Sequence, residues 1–290
     1  CHIHHIGRLD RTYTPAIHLE GVGHRAAHNL LHHAPSSVMR LEGNDHLVEF
    51  NDVHTAVFES DDQGAMELFG NPTYRGVVFR YNRFRDIGKR GTEPWVHGQA
   101  ALRFDDAISG MLVYGNLFLR AARGNFGAIQ INGGRDNLID NNLFVDCARG
   151  LTGGWYPDNP VWRRLRGGQV PPGFFTNDLY RARYPDLARM LEPGAVNHVW
   201  RNVFFRCGTL AGGNRAHWDL LDNVEYPDAD PGFVDAARGD FRLRPDAPVL
   251  ARIPFRPIPL ESIGLYPDPY RARWPVESPP AQPPEPGPVR

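Results

Sequence analysis

Apolar and polar residues alternate along this chain in short runs of period two, each too short for a helix and bounded by turn residues, so they read as strands. Five of the runs superpose residue for residue: 16–21, 38–43, 65–70, 101–106 and 128–133. In each, the second and fourth positions are apolar (Ile17 and Leu19, Met39 and Leu41, Met66 and Leu68, Leu102 and Phe104, Ile129 and Ile131) and the third is polar. Four runs end in glycine; the run 101–106 ends in Asp106 instead. A second motif alternates with them, an asparagine followed by a mostly apolar triplet, at Asn29, Asn51, Asn82, Asn116, Asn142 and Asn202. The interval from Asn142 to Asn202 is the longest, roughly double the others. Segment 1–5 matches the same motif with Cys1 in place of the asparagine.

Self-similarity at a period of about 20–35 residues marks a stacked-repeat architecture. Two or three short strands per repeat predict an all-β fold, a right-handed parallel β-helix of the pectate-lyase-like kind. Leucine-rich repeats have a tighter period, and propeller blades need about four strands each. In such a stack the asparagines bond from coil to coil through their amides, satisfying polar groups at a buried turn. The expected organisation is β-helix coils over 1–150, beginning mid-coil so that an N-terminal cap is missing. An aromatic-rich insertion with a short helix near 186–191 follows over 151–196. The last coil and a C-terminal cap occupy 197–276, and 277–290 form a proline-rich disordered linker. Removal of the insertion makes Asn142 and Asn202 neighbours. Cys147 and Cys207, each five residues after a motif asparagine, then stack at about 4.8 Å, within disulfide reach; a ladder of free thiols is the simpler reading.

Composition narrows the function. A net charge of −1 argues against a nucleic-acid binder that relies on phosphate contacts. No run of about 18 apolar residues is present, so no membrane partner is expected. Neither CxxC nor Cys/His metal spacing occurs, so no metal site is expected. Lys89 is the only lysine among 32 basic residues, a bias that base composition explains without function.

Acidic residues gather at two places: Asp61 and Asp62 at the entrance to the third aligned strand, and Asp105 and Asp106 at the exit of the fourth. Adjacent carboxylates repel, which costs stability unless a cation or a catalytic task offsets it. Two carboxyls about 5–10 Å apart are what glycoside hydrolysis needs, one as general acid and one as nucleophile or base. The same residues suit calcium, or simply a turn. The outward third-position column reads His18, Arg40, Glu67, Arg103 and Gln130, a salt-bridge ladder or a row of sugar contacts. His97 falls near the level of Asp61 and Asp62, where it can tune proton transfer. Trp95 and Trp155 lie on loops and can stack on sugar rings. His32, His33, His54 and the N-terminal histidines are expected at turns, in structural roles.

The segments 59–65 and 102–106, with the asparagine coils around them and 263–271 near the end, resemble the secreted β-helix enzymes of the glycoside hydrolase family 141 type. The resemblance extends over most of 1–276. It implies cofactor-free hydrolysis of plant cell-wall glycans, with fucosidase and xylanase activities in the family. Its catalytic aspartates would be Asp62 and Asp105 or Asp106. The expected substrate is therefore a plant or algal polysaccharide or oligosaccharide, bound by a secreted or periplasmic monomer.

The register poses a difficulty. If both segments run straight, Asp62 and Asp105 stand roughly 20 Å apart at about 3.3 Å per residue. A turn at Gly64 must then fold Asp62 back, or Glu67, about 8 Å from Asp105 between backbones, replaces it in an inverting geometry. Two other functions fit the same chain. One is a polysaccharide lyase or uronate epimerase using Arg103 as base with calcium on Asp105 and Asp106. The other is a glycan-binding β-helix without catalysis, since fold alone fixes no function.

Overall fold

The computed structural model describes residues 1–88, 96–154, 159–168, 177–192 and 196–267. It is an all-β structure dominated by three long parallel sheets. The first holds eight strands: His2–His4, Leu30–Ala34, Asp52–Ala56, Arg83–Arg85, Leu117–Leu119, Leu143–Val145, Val203–Phe205 and Val224–Tyr226. The second holds Ile17–Val22, Met39–Asn44, Gln63–Phe69, Gly98–Asp105, Ile129–Asn132, Arg149–Gly154 and Thr209–Gly212. The third runs from Arg25–Ala27 to Trp218–Leu221. The chain visits the three sheets in rotation, so each strand pairs in parallel with the one a full circuit later.

The strands are buried on their inner faces, where the alternation places one apolar residue per short strand. Phe84, Phe118, Phe144 and Phe204 occupy one such column, with successive ring centroids 5.2, 4.8 and 4.6 Å apart and near-parallel planes. These separations follow the spacing of hydrogen-bonded strands, about 4.8 Å.

The asparagine motif forms an unbroken buried ladder. Asn29, Asn51, Asn82, Asn116, Asn142 and Asn202 each donate their backbone N–H and their amide Nδ2 to the Oδ1 of the next asparagine, all at 2.8–3.0 Å. Asn142 and Asn202 are bonded neighbours although the insertion separates them in sequence. Asn223 is a seventh member that the motif alone did not reveal.

Left-handed residues flank the first sheet on both sides. The position before each ladder asparagine has positive φ (His28, Phe50, Tyr81, Gly115, Asn141, Arg201 and Asp222), and so does a position at the end of each of the first seven strands (His5, His33, Thr55, Asp86, Arg120, Asp146 and Arg206). Most of these are not glycine, so bonding to adjacent circuits must offset their cost. Histidines 32, 33 and 54, expected at turns, lie inside strands.

Cys147 and Cys207 follow the same strand of successive circuits, and the N–H of Gly208 donates to the carbonyl of Cys147. The Cys207 thiol is pushed up by its contact with Cys147 and by burial.

The insertion leaves after the strand Arg149–Gly154, beyond the start expected for it. It contains helices Pro160–Arg166 and Asp178–Arg183 and a 3-10 turn, Pro185–Arg189, rather than one short helix. Trp162, Leu165, Leu187 and Met190 form a small core with Ala107. Arg135 ties it down by donating to the carbonyls of Met190 and Glu192. Of the insertion's aromatics, Trp155, Tyr156, Phe174 and Phe175 lie outside the described residues, as does 277–290.

The C-terminal segment covers part of the first sheet. After the hairpin Phe233–Asp235 and Asp240–Leu243, it packs Val249, Ile253, Phe255, Ile258 and Leu260 on the outer face of the first sheet, over Leu117, Leu143, Val145, Val203 and Phe205. It reaches back to the early circuits, where Gly264 donates to the Phe50 carbonyl and Tyr266 meets His28.

Candidate active site

The second sheet carries the polar column. His18, Arg40, Glu67, Arg103 and Gln130 are register partners in that order, and Thr152 continues the row. Around its later members lies a hollow of about 290 Å³ lined by Asp62, His97, Arg103, Asn125, Phe126, Gln130, Asn132, Thr152, Gly153 and Gly154.

Arg103 is the centre of this hollow. Its Nη2 stands 2.9 Å from Oδ1 of Asp62 and 2.9 Å from Oδ2 of Asp105. Two oxygens that touch one nitrogen can be no further apart than the two contacts laid end to end. The wide separation of a straight register therefore does not apply, for two reasons. Asp62 has left-handed φ, 55°, and Gly64 lies directly against Arg103. A Cβ on Gly64 would be 2.6 Å from the Arg103 Cβ and 2.9 Å from its backbone nitrogen. The missing side chain lets the start of the strand close over Arg103, whose Nη1 also donates to the Asp62 carbonyl.

The four carboxylates have different surroundings. Asp105 is largely buried, and that burial raises its pKa against the opposing pull of Arg103, with Asp106 and Asp62 adding to the rise. It accepts a hydrogen bond from Asn132 Nδ2 at 2.8 Å. Asp62 is exposed, with the His97 Nε2 at 3.6 Å. Glu67 is buried beneath the column, 6% exposed, and burial raises its pKa. It accepts from Gln63 at 3.3 Å and does not line the hollow. Asp106 does not line the hollow; its Oδ1 accepts from Asn159 Nδ2 at 3.1 Å and from Asn132 Nδ2 at 3.5 Å. Asn159 also caps helix Pro160–Arg166, so Asp106 anchors the insertion. Its φ of 47° is left-handed, a conformation aspartate tolerates better than most residues.

Asp61 is a loop clamp. Desolvation acts upward on it, but the N–H groups of Gly98, His97 and Asp62 hold its pKa low. Arg40 is paired with Glu42 at 2.9 Å and lies two strands from Arg103, away from the hollow. Trp95 and Trp155 lie outside the described residues.

Sequence reasoning missed Asn125, Phe126, Asn132 and Thr152. The strand Ala122–Gly124 pairs antiparallel with the start of Gly98–Asp105, which delivers Asn125 and Phe126 to the rim. The Phe126 ring lies on Gly98, where a Cβ would collide with it, and edge-on to His97 at 5.4 Å. Thr152 was hidden because Gly153 replaces the apolar fourth position of its repeat, making room for the Trp218 ring.

Two polar atoms at the hollow are buried without a partner: Oε1 of Gln130 and Nε of Arg103. Such atoms cost about 1–3 kcal/mol each unless something supplies the bond. The arrangement thus offers a buried acid, an exposed carboxylate, a cation between them and polar groups open to hydroxyl donors and acceptors. Comparisons with models of known protein families, with curated proteins and with solved structures find no match for this chain.

Proposed function

We propose that the chain is a right-handed parallel β-helix that hydrolyses glycosidic bonds in a plant or algal polysaccharide. Asp105 is the general acid and Asp62 the nucleophile. The observation that carries this reading is the shared nitrogen: Arg103 Nη2 contacts both carboxylates at 2.9 Å. The short reach this imposes belongs to retaining geometry, about 5–5.5 Å between carboxyls, rather than the roughly 6.5–9.5 Å of inverting enzymes.

The environments divide the roles. Asp105, with its raised pKa, holds a proton more readily and gives it to the departing glycosidic oxygen. Asp62 attacks the anomeric carbon, forming a glycosyl ester; a water, deprotonated by Asp105, then releases the sugar with net retention. Arg103 holds both groups in position and stabilises the carboxylate of Asp62 before attack. The exposed Asn125 and half-buried Thr152 line the hollow and meet sugar hydroxyls.

Calcium is disfavoured between Asp62 and Asp105 because a guanidinium already occupies that position. The same two ion pairs disfavour Arg103 as the proton-abstracting base of a lyase. The test is a panel of plant and algal polysaccharides assayed for new reducing ends and for the ultraviolet absorbance of an unsaturated product. Reducing ends without absorbance, lost in both Asp62→Asn and Asp105→Asn, support hydrolysis. Absorbance in the product assigns a lyase, and activity unchanged in both variants overturns the catalytic pair.

A further inference from the structure

Apart from the hollow, and on a different sheet, six histidines gather on the opening circuits. His2, His4, His32 and His54 lie on strands of the first sheet that pair in sequence: His2 is opposite Leu30, His4 opposite His32, and His32 opposite His54. The rings of His4, His32 and His54 stack, at 5.0 and 4.6 Å between centroids and 3° and 6° between planes. His5 and His33 form a second stacked pair at 4.6 Å. Arg85 follows His54 in the same column, and beyond it the column is apolar, with Leu119, Val145 and Phe205 covered by the C-terminal segment. The change from histidine to hydrophobe is therefore local to one end of one face.

Three of these side chains converge. One nitrogen from each of His32, His33 and His54 lies within 4.8 Å of the others, and all three residues are buried. His32 Nδ1 is 2.5 Å from His33 Nδ1, and His2 Nε2 is 2.7 Å from His32 Nε2. We propose that His32, His33 and His54 form a binding site for a divalent first-row transition ion of the zinc type.

Three imidazoles with an open fourth position are a common donor set for zinc, whose nitrogen ligands stand about 2.0–2.1 Å from the ion. Tetrahedral placement at that distance needs ligand nitrogens roughly 3.3 Å apart, which lies between the 2.5 Å contact and the 4.8 Å limit. The stacked rings of His32 and His54 have to tilt about χ2 to aim at one ion, while His33 already stands near-perpendicular to both, at 76° and 82°. Supporting contacts suit the task. With Nδ1 of His32 as ligand, its Nε2–H donates to His2. His54 Nδ1 is in hydrogen-bond contact with Thr55 Oγ1 at 3.1 Å, which fixes the orientation of its ring.

Two arginines and one aspartate lie beside the cluster. Arg85, the register partner of His54, is held by Asp52, which also binds Arg83.

Calorimetric titration of the full chain with Zn2+, and visible absorption on titration with Co2+, test the site. One equivalent should bind, with ligand-field bands of nitrogen coordination for cobalt. His54→Ala and His32→Phe should each weaken binding by at least about tenfold; the second variant keeps a ring in the stack and so guards against unfolding. His18→Ala, which removes the separate surface group of His18, Glu20 and Glu42, should leave binding unchanged. No saturable binding by the unmodified chain, equal binding by both site variants, or loss in His18→Ala overturns the proposal.

Discussion

Gly64 packs against Arg103 so closely that a Cβ on it would lie 2.6 Å from the Arg103 Cβ. That contact brings Asp62 and Asp105 to one guanidinium, and neither the Cβ nor the backbone nitrogen it would meet can swing away. Gly64→Ala is expected to lower stability by about 1–3 kcal/mol and to separate Asp62 from Arg103. Urea denaturation checks the first effect. For the second, a crystal structure of the variant that keeps both 2.9 Å contacts would refute the assignment of this glycine.

Arg103 lowers the pKa of Asp105 against the rise that burial causes. Arg103→Met removes that opposing charge, so Asp105 should hold its proton to higher pH. If Asp105 is the acid, the alkaline limb of the pH–rate profile moves upward while the maximal rate falls about 100-fold or more from lost positioning. A rate loss with no movement of the limb would remove Asp105 from the acid role.

Glu67 is an acid whose folded pKa lies above its ordinary value because of burial. The folded state thus binds more protons than the unfolded chain between those two values, and stability falls as pH rises through that window. Glu67→Gln keeps the shape and the contact with Gln63 without the buried charge. It should raise the denaturation midpoint at neutral pH, and the gain should vanish as pH falls below the ordinary glutamate range. A variant destabilised at neutral pH would contradict this and point to a role for the charge.

The asparagine ladder should be least tolerant in its middle. Asn116 Nδ2 donates to Asn142 and to the carbonyls of Phe79 and Tyr114, while its Oδ1 accepts from Asn82. Asn116→Ala leaves several buried groups unpaired and should cost about 2–4 kcal/mol. Asn223→Ala, at the partly exposed end, should cost less. Paired denaturation curves compare them, and equal losses would show that position along the ladder does not matter.

The stacked phenylalanines give a parallel test of the core. Phe118 lies between Phe84 and Phe144 and is fully buried. Phe118→Ala should cost about 3–5 kcal/mol, measured the same way. A loss below about 1 kcal/mol would mean that the neighbouring circuits collapse into the space.

The sequence by itself determined the strand faces, the parallel pairing of the five aligned runs and the asparagine ladder. These follow from period-two burial and from an amide that bonds its own copy one circuit away, so a repeated residue is enough to reveal them. The shared register also placed Arg103 and Gln130 in one column, whereas Asp62 and Asp105 were paired by the family resemblance, against a straight register that set them far apart. Only the tertiary structure decided which carboxylates meet. A left-handed Asp62 and a side-chain-free Gly64 shorten a distance that strand rise alone would make several times longer, and Asp106 is drawn off to the insertion by Asn159. The histidine cluster was also hidden: His32 and His33 share one strand and His54 is on the next, and they converge because paired strands stack side chains at the spacing of the sheet.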